Sequence, residues 1–84
     1  MYTHVGEDVT LLSSTIIAVI DLENTSISKE TREFLKTAEK KEQITNVSDK
    51  LPKTAIICND GRVFITNISS MTIKKRSEID GKKL

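Results

Sequence analysis

The stretch Lys53–Ile68 restricts what this chain can become more than any other. It reads as a β-hairpin, with Asp60-Gly61 as the short-range turn signal between two apolar runs. A two-residue type I′ turn at Asp60-Gly61 is expected, because both central positions need φ > 0 and Asp and Gly tolerate it. That turn sets Cys58 opposite Val63, Ile57 opposite Phe64 and Ile56 opposite Ile65. Side chains alternate along a strand. Ile56, Cys58, Val63 and Ile65 are then expected on one face, and Ala55, Ile57 and Phe64 on the other. Both faces are apolar, so the ribbon has to be covered twice. One helix covers one face. The second cover has to come from the rest of the chain or from another subunit.

The remaining segments supply few covers. Tyr2–Val5 and Val9–Leu12 read as two short strands joined at Gly6-Glu7-Asp8. Ile16–Leu22 reads as a strand with Ile16, Ala18, Ile20 and Leu22 on one face and Ile17 and Val19 on the other. Glu23–Ile27 is a loop. Ser28 is the expected N-cap of a helix running to about Gln43, with Glu30 in its first turn and Thr31, Phe34, Leu35 and Ala38 toward the core. Lys29/Glu33 and Lys36/Glu39 are spaced to pair along its outer surface. Ile44–Pro52 reads as irregular, with Pro52 at the edge of the following strand. After the hairpin, Ser69-Ser70 caps a short second helix, Met71 to about Arg76. The order is β-β-β-α-β-β-α, an α+β fold: a small antiparallel or mixed sheet of about five strands, one main helix and a short C-terminal helix. Residues 1–77 are expected to form one domain and 78–84 a flexible basic tail.

At 84 residues with 4% aromatics, the core is aliphatic and small, and association is one way such a domain gains burial. The near-neutral balance of 13 basic against 12 acidic residues conceals an asymmetry. Residues 1–30 hold Lys29 against Glu7, Asp8, Asp21, Glu23 and Glu30. Residues 71–84 hold Lys74, Lys75, Arg76, Lys82 and Lys83 against Glu78 and Asp80. A basic end on an otherwise balanced body points to local anion attraction. The single cysteine excludes an internal disulfide. The chain opens without a secretory pattern, and Thr15–Leu22, its longest apolar-rich run, is far short of the ~20 residues a helical span requires. The expected location is the cytoplasm, with no membrane partner.

No catalytic constellation is evident. His4 is the one histidine. Cys58 lies in the most apolar strand, where a buried thiol is an inert packing residue. Glu7/Asp8 and Asp21/Glu23 lack a calcium-loop pattern, and three scattered glycines make no phosphate loop. The chain is therefore read as no enzyme, with no cofactor and no metal. The basic residues remain. Lys74-Lys75-Arg76 closes the second helix, where cations complement the helix dipole or contact phosphate. Lys50 and Lys53 flank the start of the hairpin, in a loop. These five are the nucleic-acid-binding candidates. No aromatics interleave with them, which disfavours stacking on single strands. One copy offers few phosphate contacts, so the patch gains strength when an oligomer repeats it. The face of Ala55, Ile57 and Phe64 is the expected subunit interface, so a homo-oligomer would solve both problems together.

The segments Met1–Asp8, Ile16–Asp21, Glu33–Lys36, Lys53–Ile57 and Ile68–Arg76 follow the order seen in the small bacterial extracellular matrix regulators. The chain resembles the RemB (YaaB-like) branch most, and the RemA branch more distantly. The Met-Tyr-x-His-x-Gly opening and the Ser-Ser-x-Thr-x-Lys-Lys-Arg close carry the likeness. The resemblance implies a cytoplasmic regulator of matrix and biofilm genes. For the RemA branch it implies a ring-like, DNA-binding homo-oligomer with a fold likened to LytTR DNA-binding domains. A sister regulator is a further implied partner. The chain departs from the RemA pattern at two places. Ser14 and Thr15 stand where that branch has a basic residue, and Lys50-Leu51-Pro52-Lys53 stands where it has paired arginines. Lysine attracts phosphate as a point charge, without the bidentate fork of arginine. The expected function is a DNA-associated transcriptional regulator. The alternative is an oligomeric scaffold that binds a protein through the acidic N-terminal region.

Overall fold

The computed structural model describes residues 1–23 and 27–81, the last four by backbone alone. In chain order the elements are β1 (Tyr2–Gly6), β2 (Val9–Leu12), a 3₁₀ turn (Ser13–Thr15), β3 (Ile16–Asp21), α1 (Lys29–Lys40), β4 (Ile44–Asn46), β5 (Thr54–Cys58), β6 (Val63–Thr66) and α2 (Ser70–Gly81). The fold is α+β, as the order of segments predicted. β1 and β2 form an antiparallel pair of their own, and the other four strands make one sheet in the order β3-β5-β6-β4.

The central hairpin forms, but one residue out of the expected step. Cys58 N–H donates to the Arg62 carbonyl at 2.9 Å, and Gly61 N–H donates to the Cys58 carbonyl at 3.0 Å. The loop is therefore Asn59-Asp60-Gly61, three residues long, and within it Gly61 alone has positive φ, at 92°. This is a type I turn closed by a left-handed glycine, the usual three-residue hairpin solution. Asp60 stays out of the left-handed region because its carboxylate has a better use. It accepts the Arg62 backbone N–H at 3.1 Å and pairs with Arg62 Nε at 2.7 Å. The Arg62 N–H chiefly, with the guanidinium behind it, holds the Asp60 carboxyl below the usual carboxylate range.

The extra loop residue shifts the register to Ile57↔Val63, Ile56↔Phe64 and Ala55↔Ile65. A slip of one residue turns every side chain of a strand to the opposite face. Phe64 thus joins Ile56 and Cys58, while Val63 and Ile65 join Ala55 and Ile57. β3 carries a second correction. A bulge between Ile16 and Ala18 leaves Ile17 exposed and turns Ile16 to the same side as Val19, away from Ala18, Ile20 and Leu22.

Both faces of the sheet are covered within the single chain. Val5, Leu11 and Ile73, from β1, β2 and α2, pack with Val47 on Ile56, Cys58 and Phe64. α1 lays Leu35 and Ala38 on Ala55, Ile57 and Val63. The expected subunit-interface residues Ala55, Ile57 and Phe64 are 0%, 7% and 6% exposed, so they are core and not surface. Gly6 lets β1 come close: a Cβ there would sit 2.9 Å from both Thr66 Oγ1 and Val47 Cγ2, at φ +144°.

The Ser28 hydroxyl accepts the Thr31 N–H at 3.1 Å and starts α1, as expected from sequence. The helix stops at Lys40, short of Gln43, because Glu42 turns left-handed at φ 58°. Phe34 is 41% exposed and lies outside the core, contrary to expectation. Ile44–Asn46, read as irregular, runs parallel to β6. The Gln43 carbonyl accepts Val63 N–H, and Val47 N–H donates to the Ile65 carbonyl, both at 2.9 Å, extending that pairing at each end. α2 continues through Gly81 into the expected tail, and residues 82–84 lie outside the described residues, as do 24–26 of the Glu23–Ile27 loop.

Candidate nucleic-acid interface

The five basic candidates divide into three situations. Lys74 and Lys75 are exposed on α2. Ile73, wholly buried beside them, fixes the rotation of the helix. The helix begins firmly, because Ser69 Oγ accepts the Thr72 N–H at 3.2 Å. Thr54 Oγ1 donates to the Ile68 carbonyl at 2.7 Å and ties the lead-in of α2 to the start of β5.

Lys53 immediately precedes that threonine. Its N–H donates to the Thr66 carbonyl and its carbonyl accepts the Leu22 N–H, both at 2.9 Å, so its backbone is fixed where β3, β5 and β6 end together. Lys50 is exposed in the preceding loop, where its N–H donates to Ser48 Oγ at 3.1 Å. Through Thr54 and Ile68 the fold brings Lys53 to the beginning of the helix that carries Lys74 and Lys75.

Arg76 belongs to a different arrangement. Its Nη1 donates to the His4 carbonyl at 2.8 Å and lies 3.4 Å from His4 Nδ1. His4 Nε2 is 2.8 Å from the Glu7 carbonyl. A carbonyl only accepts, so Nε2 carries the proton and Nδ1 is left to accept from the guanidinium. This tautomer is assigned from the bonding pattern. Arg76 is thus a clasp between α2 and β1. His4 is its partner.

Sequence reading missed a second charged surface, on which three cations stand among two carboxylates, Glu33 and Glu39. Along α1, Lys29, Arg32 and Lys36 border an open groove of about 560 Å³ whose floor includes Leu35 and Ile44. The expected pairs Lys29/Glu33 and Lys36/Glu39 do not close. Among the described residues the ion pair within 4.0 Å is Arg62–Asp60. Spacings of three and four from Lys29 through Arg32 to Lys36 put these cations on one stripe, a signal present in the sequence. On the other side, Glu7, Asn46, Val47, Ser48 and Asp49 border a shallower recess of about 400 Å³.

Cys58 is buried, and that burial pushes its thiol up from the ordinary value, partly opposed by a hydrogen bond from Thr15. Such a thiol is a poor nucleophile. Among the described residues no three His, Cys, Asp or Glu side chains gather as metal ligands, and no helix is long and apolar enough to cross a membrane.

No curated protein matches the sequence. The profile of one family, RemA-like, described as extracellular matrix regulatory protein A-like, matches residues 3–76. That span takes in β1 from Thr3 onward with its Gly6 contact, the whole central hairpin, and α2 as far as Arg76. The chain therefore belongs to the RemA-like family of extracellular matrix regulatory proteins.

Proposed function

We propose that this protein is a small homo-oligomeric, DNA-associated regulator of extracellular matrix and biofilm genes, acting in the cytoplasm and lying toward the RemB branch of its family. Lys74 and Lys75 on α2, with Lys53 and Lys50 from the loop before β5, contact the phosphate backbone. Arg76 contributes mainly by holding α2 on β1. The observation that carries this reading is the pair of exposed lysines on a rigidly seated helix, in a chain whose family is regulatory.

The support for an oligomer lies on the surface, since the sheet is covered by its own chain. Tyr2, Leu12 and Ile17 are 69%, 42% and 64% exposed. Few cations per copy give weak, salt-sensitive binding, and repetition of the patch raises the avidity. The test is duplex retardation across a salt series. Affinity falls steeply with salt, and Lys74→Ala with Lys75→Ala flattens the log–log slope by about one unit for each phosphate left without its lysine. Absence of duplex binding at low salt would overturn the DNA reading and leave an oligomeric scaffold that binds a protein.

A further inference from the structure

The sheet separates two surfaces that fit each other. On one side, the β1–β2 hairpin buries Thr3, Val5 and Leu11 and turns Tyr2 and Leu12 outward as a cross-strand pair. Its tip bears Glu7 and Asp8, both exposed. On the other side, α1 and β4 form the groove with Leu35 and Ile44 in its floor. Lys29, Arg32 and Lys36 border that groove against Glu33 and Glu39, and among the described residues these cations make no ion pair. The dimensions agree. The hairpin face from Tyr2 to Gly6 spans roughly 14 Å at strand rise, and α1 from Lys29 to Glu39 roughly 15 Å at helical rise.

We propose that the β1–β2 hairpin of one copy docks into the α1–β4 groove of the next. The inference rests on the homo-oligomer reading and names the surfaces that make it. Glu7 and Asp8 meet Lys29 and Arg32 at the N-terminal end of α1, where the helix dipole also favours negative charge. Tyr2 and Leu12 lie over Leu35 and Ile44. Arg76, held against His4 on the hairpin, comes opposite Glu33. Because the two surfaces lie on opposite faces of the sheet, the contact is head to tail. Such a contact repeats from copy to copy, closing as a ring where its rotation allows and running on as a filament where it does not.

Two variants block one surface each: Tyr2→Ser with Leu12→Ser on the hairpin, and Lys29→Glu with Arg32→Glu on the groove. All four positions are solvent-exposed. Native mass measurement of the whole chain first reports whether the wild type exceeds 9.4 kDa. Each variant alone then runs at the monomer mass, with self-association weakened roughly tenfold or more. Mixed together they form a 1:1 pair, because each supplies the surface the other lacks, which a misfolded variant cannot do. A multimeric wild type whose groove variant assembles unchanged, or a mixture that stays monomeric, overturns this docking while leaving the oligomer reading intact. A monomeric wild type overturns both.

Discussion

The two faces of the sheet are covered by different means. One receives a hairpin and a helix from opposite ends of the chain, and there Val5, Ile56, Cys58 and Ile73 are at or below 1% exposure. The other receives α1 alone. Beneath it Ala55, Ile57 and Val63 are buried, but Ala18, Ile20, Leu22, Leu35, Ile44 and Ile65 are only partly so. A single helix has a narrow apolar stripe, and α1 offers Leu35 and Ala38 from twelve residues. The first face therefore holds the fold together, while the second is left partly open along α1 and β4.

Truncation on each face tests that difference most directly. Ile73→Ala removes a wholly buried side chain at the centre of the first cover, and a loss of about 2–5 kcal/mol is expected for such a core truncation. Leu35→Ala on the second face should cost only about 1–2 kcal/mol, since less area leaves water and the groove already admits solvent. Urea titration of both variants reads the gap. Equal losses would show that the faces are equally packed.

The close approach of β1 gives the next effect. In Gly6→Ala the methyl would press on Val47 and Thr66 at a φ that L-residues avoid. A loss of about 1–3 kcal/mol is expected, by thermal unfolding. Alanine on the exposed stripe of α1, such as Lys36→Ala, should stay within about 0.5 kcal/mol of wild type.

Much of the first face was legible in sequence and its details were not, for reasons that can be located. The strands β1, β2, β3, β5 and β6 and the Ser28 cap followed from composition and alternation. The hairpin register did not, because Asp60-Gly61 serves a two-residue loop as well as a three-residue one. The choice fell to a side-chain bond between Asp60 and the Arg62 N–H. That one residue moved Phe64 between faces, while the second cover that both apolar faces call for comes from β1, β2 and α2 of the same chain. β4 escaped because three residues show no period, and its pairing with β6 is long-range. Of the site, the exposed lysines of α2 and the loop were readable. The clasp of Arg76 on His4 was not, because it joins residues 72 apart in sequence.

That clasp gives a smaller effect. Arg76→Ala removes the guanidinium that pins α2 to β1, and about 1 kcal/mol is expected for hydrogen bonds at an exposed site. Arg76→Lys restores charge but not the planar guanidinium that sets Nη1 on the His4 carbonyl and against Nδ1, so it should recover little stability in the same urea titration. Recovery by lysine would show that positive charge alone, and not the placement of the guanidinium, holds α2 on β1.

Cys58 gives an effect confined to alkaline pH and a check on how dry the first face is. Burial holds its thiol pKa above the unfolded value of ~8.5. A group raised in this way contributes stability that is fully present below the unfolded pKa. The contribution is lost as pH rises through the folded pKa, because the unfolded chain ionises first and draws the equilibrium toward itself. Wild type should therefore lose stability above about pH 8.5 relative to Cys58→Val, by no more than ~1.4 kcal/mol per pH unit. Valine keeps the strand preference but is larger, so each protein's loss is read against its own stability at pH 7. Iodoacetamide should label the native thiol slowly at pH 8 and promptly in denaturant. Prompt labelling of the native protein would mean that the β1–β2 and α2 cover opens readily, and the two faces would then differ in packing but not in permanence.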